Sequence, residues 1–172
     1  MKKSLWLLAC LISINSYFGY SQKKYCQGGA LLIPRHLYVM LYDTPDGNVI
    51  DSIMNDTIKE DYLSICIKQI QNDYADIAAV YTFDSIDKEG WIQLKYLGIN
   101  PANYSSKLFL HLYPNEDSTI VDSITYPQWG DLYSILKCKD DWFYIKTYND
   151  GKWREGWMSP EDQCDNPYST CN

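Results

Sequence analysis

Histidine is almost missing from this 172-residue chain, which carries only His36 and His111. Neither belongs to a His-x-x-His spacing, and no two cysteines stand as Cys-x-x-Cys, so the spacings that hold zinc are missing and no metal is expected. No glycine-rich loop is present to cradle a phosphate, and the alternating oxygen ligands of a calcium loop are only hinted at in PNEDST and YNDGK. Paired carboxylates occur at Glu60-Asp61, Glu116-Asp117 and Asp140-Asp141, each in or beside a turn signal, where a solvated loop accounts for them. A cysteine-histidine pair built on Cys66 or Cys138 is the one nucleophilic arrangement on offer. An exported cysteine is more readily bridged than catalytic, so the chain reads as no enzyme, with no catalytic residue and no cofactor.

Positive charge is in deficit as well, with 15 Lys and Arg against 22 Asp and Glu and a formal charge of −7. Such a surface repels phosphate backbones and anionic membranes, which speaks against nucleic acid as a partner. Long apolar runs are missing outside the first 22 residues, MKKSLWLLACLISINSYFGYSQ. There a lysine pair, an apolar core and small residues at Gly19 and Ser21 spell a secretory signal with cleavage near Ser21. The rival reading, lipid attachment at Cys10, leaves an apolar core of only six residues after Lys3. With residues 1–21 removed, Lys2 and Lys3 leave and −7 becomes −9. A periplasmic or secreted protein without membrane insertion is expected.

Cysteine fits that compartment. Cys26, Cys66, Cys138, Cys164 and Cys171 follow the leader, enough for two bridges and one thiol over. Cys164 and Cys171 flank a polar tail with little core of its own, and a disulfide between them is expected. Cys26 could join Cys66 or Cys138.

What is present is repetition. KEGWI at 88–92 returns as REGWM at 154–158, 66 positions on. VIDSI (49–53) returns as IVDSI (120–124) at 71, and NDYADI (72–77) as DDWFYI (140–145) at 68. Leu41-Tyr42 aligns with Leu112-Tyr113, Ser64-Ile65 with Ser134-Ile135, and Asn100-Pro101 with Asn166-Pro167, always in the same order. This alignment sets His111 opposite Met40. Two copies of one module are expected at 36–104 and 107–172, preceded by an N-terminal segment at 22–35. The Asn-Pro stretches would serve as linker and tail.

Each copy reads as short strands. LYVMLY and LFLHLY run into proline-containing turns. In WFYIKTY, Trp142, Tyr144 and Tyr148 fall on one face, with Phe143 and Ile145 on the other. Asp150-Gly151 supplies the positive φ values of a tight hairpin before KWREGWM. The stretch IKEDYLSICIKQIQNDYADIAAV has partial helical spacing, but alignment with the second copy turns most of it into two strands. The fold class expected is therefore all-β.

The sequence of signals resembles the bacterial SH3-like (SH3b) domain. Its marks are a strand entering a Pro or Gly loop, a Val-Ile-plus-small strand, a Trp-x-x-aliphatic strand and a closing Gly-Trp-aliphatic. The second copy supplies Tyr113-Pro114, Val121 to Ile124, Trp142 to Ile145 and Gly156-Trp157-Met158. The first supplies Thr44 to Gly47, Val49 to Ile53 and Gly90-Trp91-Ile92, with Tyr74 in place of the third-strand Trp. The resemblance implies two small SH3-like barrels in tandem. Gly90 and Gly156 would admit a close strand crossing, and Trp91, Trp142 and Trp157 would fill the cores.

Sixteen Tyr and six Trp exceed what two small cores can hold. Exposed aromatics offer rigid contact area at low entropic cost. The ligand-binding candidates are Tyr42, Tyr113, Trp129, Tyr144, Tyr148 and Trp153. The expected function is that of a noncatalytic exported binding module for cell-wall peptide or an envelope protein. The alternative is an acidic inhibitor or immunity-type protein that blocks a basic enzyme.

Overall fold

The computed structural model describes residues 29–33, 37–56, 58, 62–81, 87–102, 106–128, 130–166, 168 and 171. The leader, Cys26, His36 and Trp129 lie outside the described residues. The fold is all-β. Its strands are β1 (Gly29–Leu32), β2 (Val39–Tyr42), β3 (Val49–Ile53), β4 (Leu63–Gln71), β5 (Tyr74–Tyr81), β6 (Asp87–Gln93) and β7 (Leu97–Pro101). They continue with β8 (Lys107–His111), β9 (Ile120–Thr125), β10 (Tyr133–Lys139), β11 (Trp142–Asn149), β12 (Lys152–Met158) and β13 (Gln163–Cys164). Short 3-10 turns at Leu94–Tyr96 and Pro160–Asp162 lead into β7 and β13. All pairings are antiparallel, and the strands form one open path, β3-β2-β6-β5-β4-β1-β7-β10-β11-β12-β8-β9, with β13 added on β7.

Residues 62–81 make a hairpin because their apolar positions alternate. Leu63, Ile65 and Ile67 point inward on β4 while Cys66 is exposed, which is the period of a half-buried strand. Asn72 at φ 55° makes the turn, as Asp140 and Asp141 do between β10 and β11 (φ 49° and 68°). Asp150 and Gly151, at φ 50° and 77°, form the expected tight turn between β11 and β12.

The register of the second half repeats that of the first. Ile77 on β5 faces Ile67 and Gly90, and Ile145 on β11 faces Ile135 and Gly156. Both β4 and β10 carry a bulge at the same place, at Ile67/Gln69 and Ile135/Lys137. In the outer hairpins Val39 faces Ile53 and Leu108 faces Ile124, each pair followed by a bulge, at Leu41/Tyr42 and Leu110/His111.

These registers correct three parts of the sequence alignment. Tyr42 corresponds to His111 rather than Tyr113, because the loop after β8 is two residues longer than the loop after β2. It closes from Leu112 to Thr119, where its counterpart closes from Asp43 to Asn48. Ile65 corresponds to Tyr133 rather than Ile135, since both pair with the strand that opens their half, at Ala30 and Ile99. The third correction concerns where a half begins. β1 pairs with β4 and β7 as β7 pairs with β10 and β13: Leu31 faces Gly98, and Asn100 faces Cys164. The segment expected to be a linker is a strand with every residue buried. It is the last strand of one half and the first of the next.

The inward residues merge into one core running through both halves, from Leu41, Ile65 and Ile92 to Ile99, Phe143 and Met158. Each fully buried side chain of this size contributes about 1.5–3 kcal/mol. Cys164 and Cys171 are joined by a disulfide with their Cα atoms 5.5 Å apart, which is consistent with an oxidising compartment. Cys138 is also disulfide-bonded, whereas Cys66 is a free, exposed thiol. The tail turned by the Cys164–Cys171 bridge reaches the first half, where the Tyr168 hydroxyl accepts from the Tyr62 N–H at 2.9 Å.

Candidate functional site

Four of the five residues of the repeated pentapeptide do four different jobs. The basic residue crosses to the preceding hairpin, where Lys88 pairs with Asp51 and Arg154 with Asp122, the latter at 2.5 Å. These aspartates are the ones in VIDSI and IVDSI, so the two repeated motifs recur together because they touch. Each aspartate also accepts from the N–H of the serine that follows it, at 2.7 and 2.8 Å. Burial pushes the Asp122 carboxyl up, but the Ser123 N–H and the Arg154 and Lys152 cations outweigh it, and the group lies below the usual carboxylate range. The hydrogen bonds from Lys88 and Ser52 lower Asp51 in the same sense.

The glycine lets the strands cross. A methyl at Gly156 would stand 2.8 Å from Leu110 Cβ and 3.3 Å from the His111 carbonyl. At Gly90 it would stand 3.1 Å from the Tyr42 carbonyl and 3.3 Å from Leu41 Cβ, the equivalent atoms, and φ there is 148°. The aliphatic residue, Ile92 or Met158, is fully buried. Alternation then turns the tryptophan outward. Trp91 and Trp157 are half-buried on the outer face rather than wedged in the core, a correction to the role expected for them. Of the three tryptophans assigned to the cores, only Trp142 is buried, at 7% exposure. The inner volume is filled instead by Phe143, Tyr133 and aliphatic side chains.

The outer face of β10, β11 and β12 is a ladder of rings and cations. Directly opposed residues are Lys139 with Trp142, Lys137 with Tyr144, Tyr144 with Trp157, Lys146 with Glu155, and Tyr148 with Trp153. Tyr144 and Trp157 meet edge to face at 5.4 Å, as do Tyr148 and Trp153. Lys137 lies over the Tyr144 ring at 5.3 Å and Lys146 over the Trp153 ring at 5.4 Å. At the far end His111, opposed to Trp157, sets its ring 5.2 Å from that of Trp142. Burial, with Glu155 alongside, raises the Tyr144 phenol above its ordinary value. Tyr148 and Trp153 remain 60% and 64% exposed.

The structure thus unites three of the six residues expected to bind ligand: Tyr144, Tyr148 and Trp153. Tyr42 belongs to the other half, packed edge to face on Tyr74 at 5.7 Å and opposed to Trp91. Tyr113 is exposed in the loop after β8, its N–H bonded to Ser118 Oγ at 2.7 Å. Sequence reading missed Lys137, Lys146 and Trp157 as members of the face. The signal that places them is hairpin register, which opposes residues counted outward from Asp140-Asp141 and Asp150-Gly151. Among the described residues no cluster of three His, Cys, Asp or Glu could hold a metal ion, and Cys138, one of the two thiols considered as a nucleophile, is bridged.

The chain matches no protein-family profile and no curated protein.

Proposed function

We propose that this protein is an exported, noncatalytic binding module whose halves are SH3-like units, and that it recognises cell-wall peptide or an envelope protein. The outer ladder of β11 and β12 is the observation that carries this reading. Two aromatic pairs stand in line on a rigid strand hairpin, and the outermost pair keeps most of its surface in solvent. Side chains of this kind supply binding energy at little entropic cost, since two torsions fix each ring. The SH3-like reading draws on the outer hairpin, the three-strand meander and the 3-10 turn before the closing strand, an order that occurs twice.

The direct experiment is sedimentation of the full chain with insoluble cell wall, alongside capture of proteins from envelope extract. Retention of wall or of a defined protein by the wild type, lost in Trp153→Ala, is the expected result. If neither is retained at low or moderate salt, the proposal fails.

An acidic partner-blocking role is the second reading, favoured by the first half. There Asp76 takes the register position of Tyr144. Such a contact would weaken steeply with salt.

A further inference from the structure

The two halves share a register, so each position on one outer face has a counterpart on the other, and the comparison shows where the second half differs. Lys137, Lys139 and Lys146 stand where the first half has Gln69, Gln71 and Ala78, and Glu155 matches Glu89, while at the bulge the first half has Lys68, paired to Glu89 at 3.1 Å, and the second has Leu136. Tyr144 and Tyr148 stand where it has Asp76 and Val80. A scaffold that folds without them in one copy does not require them in the other. In a chain of net charge −7, these substitutions make one face both basic and aromatic.

We propose that this face binds a carboxylate-bearing glycan, an inference that rests on the binding-module reading but assigns this face a glycan where that reading names peptide or protein. β11 is paired on both sides, to β10 and β12, so its face offers no free backbone group to an added peptide strand, the mode by which extended peptides gain main-chain hydrogen bonds. Recognition there falls to ring faces and ammonium groups. Sugar rings present flat C–H faces that stack on indole and phenol, and carboxylates pair with lysine. From Tyr144 to Tyr148 the ladder extends about 13 Å at the rise of an extended strand, the reach of a short oligosaccharide. Lys146 lies over the Trp153 ring at 5.4 Å and is ion-paired to Glu155 at 3.7 Å with its side chain 43% exposed. A ligand carboxylate there would have to share Lys146 with Glu155 or displace it, whereas among the described residues Lys137 has only the Tyr144 ring beside it.

The test is affinity electrophoresis of the full chain in polygalacturonate, methyl-esterified polygalacturonate, poly-glutamate and oligo-dT. Retardation by polygalacturonate is expected, with the esterified polymer, which keeps the sugar and loses the charge, weaker by about tenfold or more. Trp153→Ala and the pair Lys137→Gln/Lys146→Gln should each weaken retardation by a similar factor. Their melting temperatures would report whether they fold. Poly-glutamate or oligo-dT binding as tightly would overturn the glycan assignment, and so would unchanged retardation of either folded variant. If polygalacturonate fails while the envelope experiment still captures wall or protein through Trp153, the glycan inference falls and the binding-module reading stands.

Discussion

A methyl added at Gly156 would meet Leu110 Cβ at 2.8 Å, whereas one added at Gly151 would meet nothing within 4 Å and suffer only from φ of 77°. The two glycines are therefore needed for different reasons, and substitution separates them. Gly151→Ala should cost about 1 kcal/mol, largely recovered in Gly151→Asn, because asparagine tolerates the left-handed region. Gly156→Ala should cost about 1–3 kcal/mol through overpacking, and Gly156→Asn more still. Urea midpoints of the four variants decide the matter. Asp122 yields a further prediction. Its folded pKa is depressed, so the stability it contributes is present above the unfolded value, about 3.9, and is lost as pH falls through the lower folded value. Asp122→Asn should flatten the loss of stability across that acid window. An acid titration as steep as that of the wild type would remove the carboxylate from the account. At this scale the glycines were legible as close approaches, but the tryptophans beside them were misplaced. The same alternation that turns Gly156 and Met158 inward turns Trp157 outward.

Residues on opposite faces of β11 should behave as differently as their faces. Phe143 is fully buried and Tyr148 is 60% exposed, so Phe143→Ala should cost about 3–5 kcal/mol and Tyr148→Ala only about 0.5–1.5 kcal/mol, the worth of its edge-to-face pair with Trp153. Thermal melts of the two variants check this, and similar losses would mean that the faces are misassigned. The assignment itself could be read from WFYIKTY, whose alternation separates Phe143 and Ile145 from Trp142, Tyr144 and Tyr148. Register between hairpins was harder to read. A slip of two residues keeps every side chain on its own face, so Leu41-Tyr42 matched Leu112-Tyr113 as well by pattern as it matches Leu110-His111 in space. Loop length broke the tie, and loop length leaves no periodic trace. The helix-like spacing across residues 63–80 gave way to the strands β4 and β5 for the opposite reason: its buried set, Leu63, Ile65 and Ile67, has period two.

For the whole molecule, the sequence announced a duplication but not how the copies join. Asn100-Pro101 has the composition of a linker. Its burial follows from what lies around it, with β1 and β13 pairing along β7 and β10 beside them, and such long-range pairing is invisible to a local window. A shared strand makes the halves one cooperative unit. Ile99 is fully buried in β7, and Ile99→Ala should cost about 2–5 kcal/mol, felt on both sides. The direct measurement is native-state hydrogen exchange at the Ile77 and Ile145 amides, in β5 and β11, for wild type and Ile99→Ala. The account predicts one common opening free energy at the two sites, lowered equally by the substitution. Protection that falls in one half and persists in the other would contradict it.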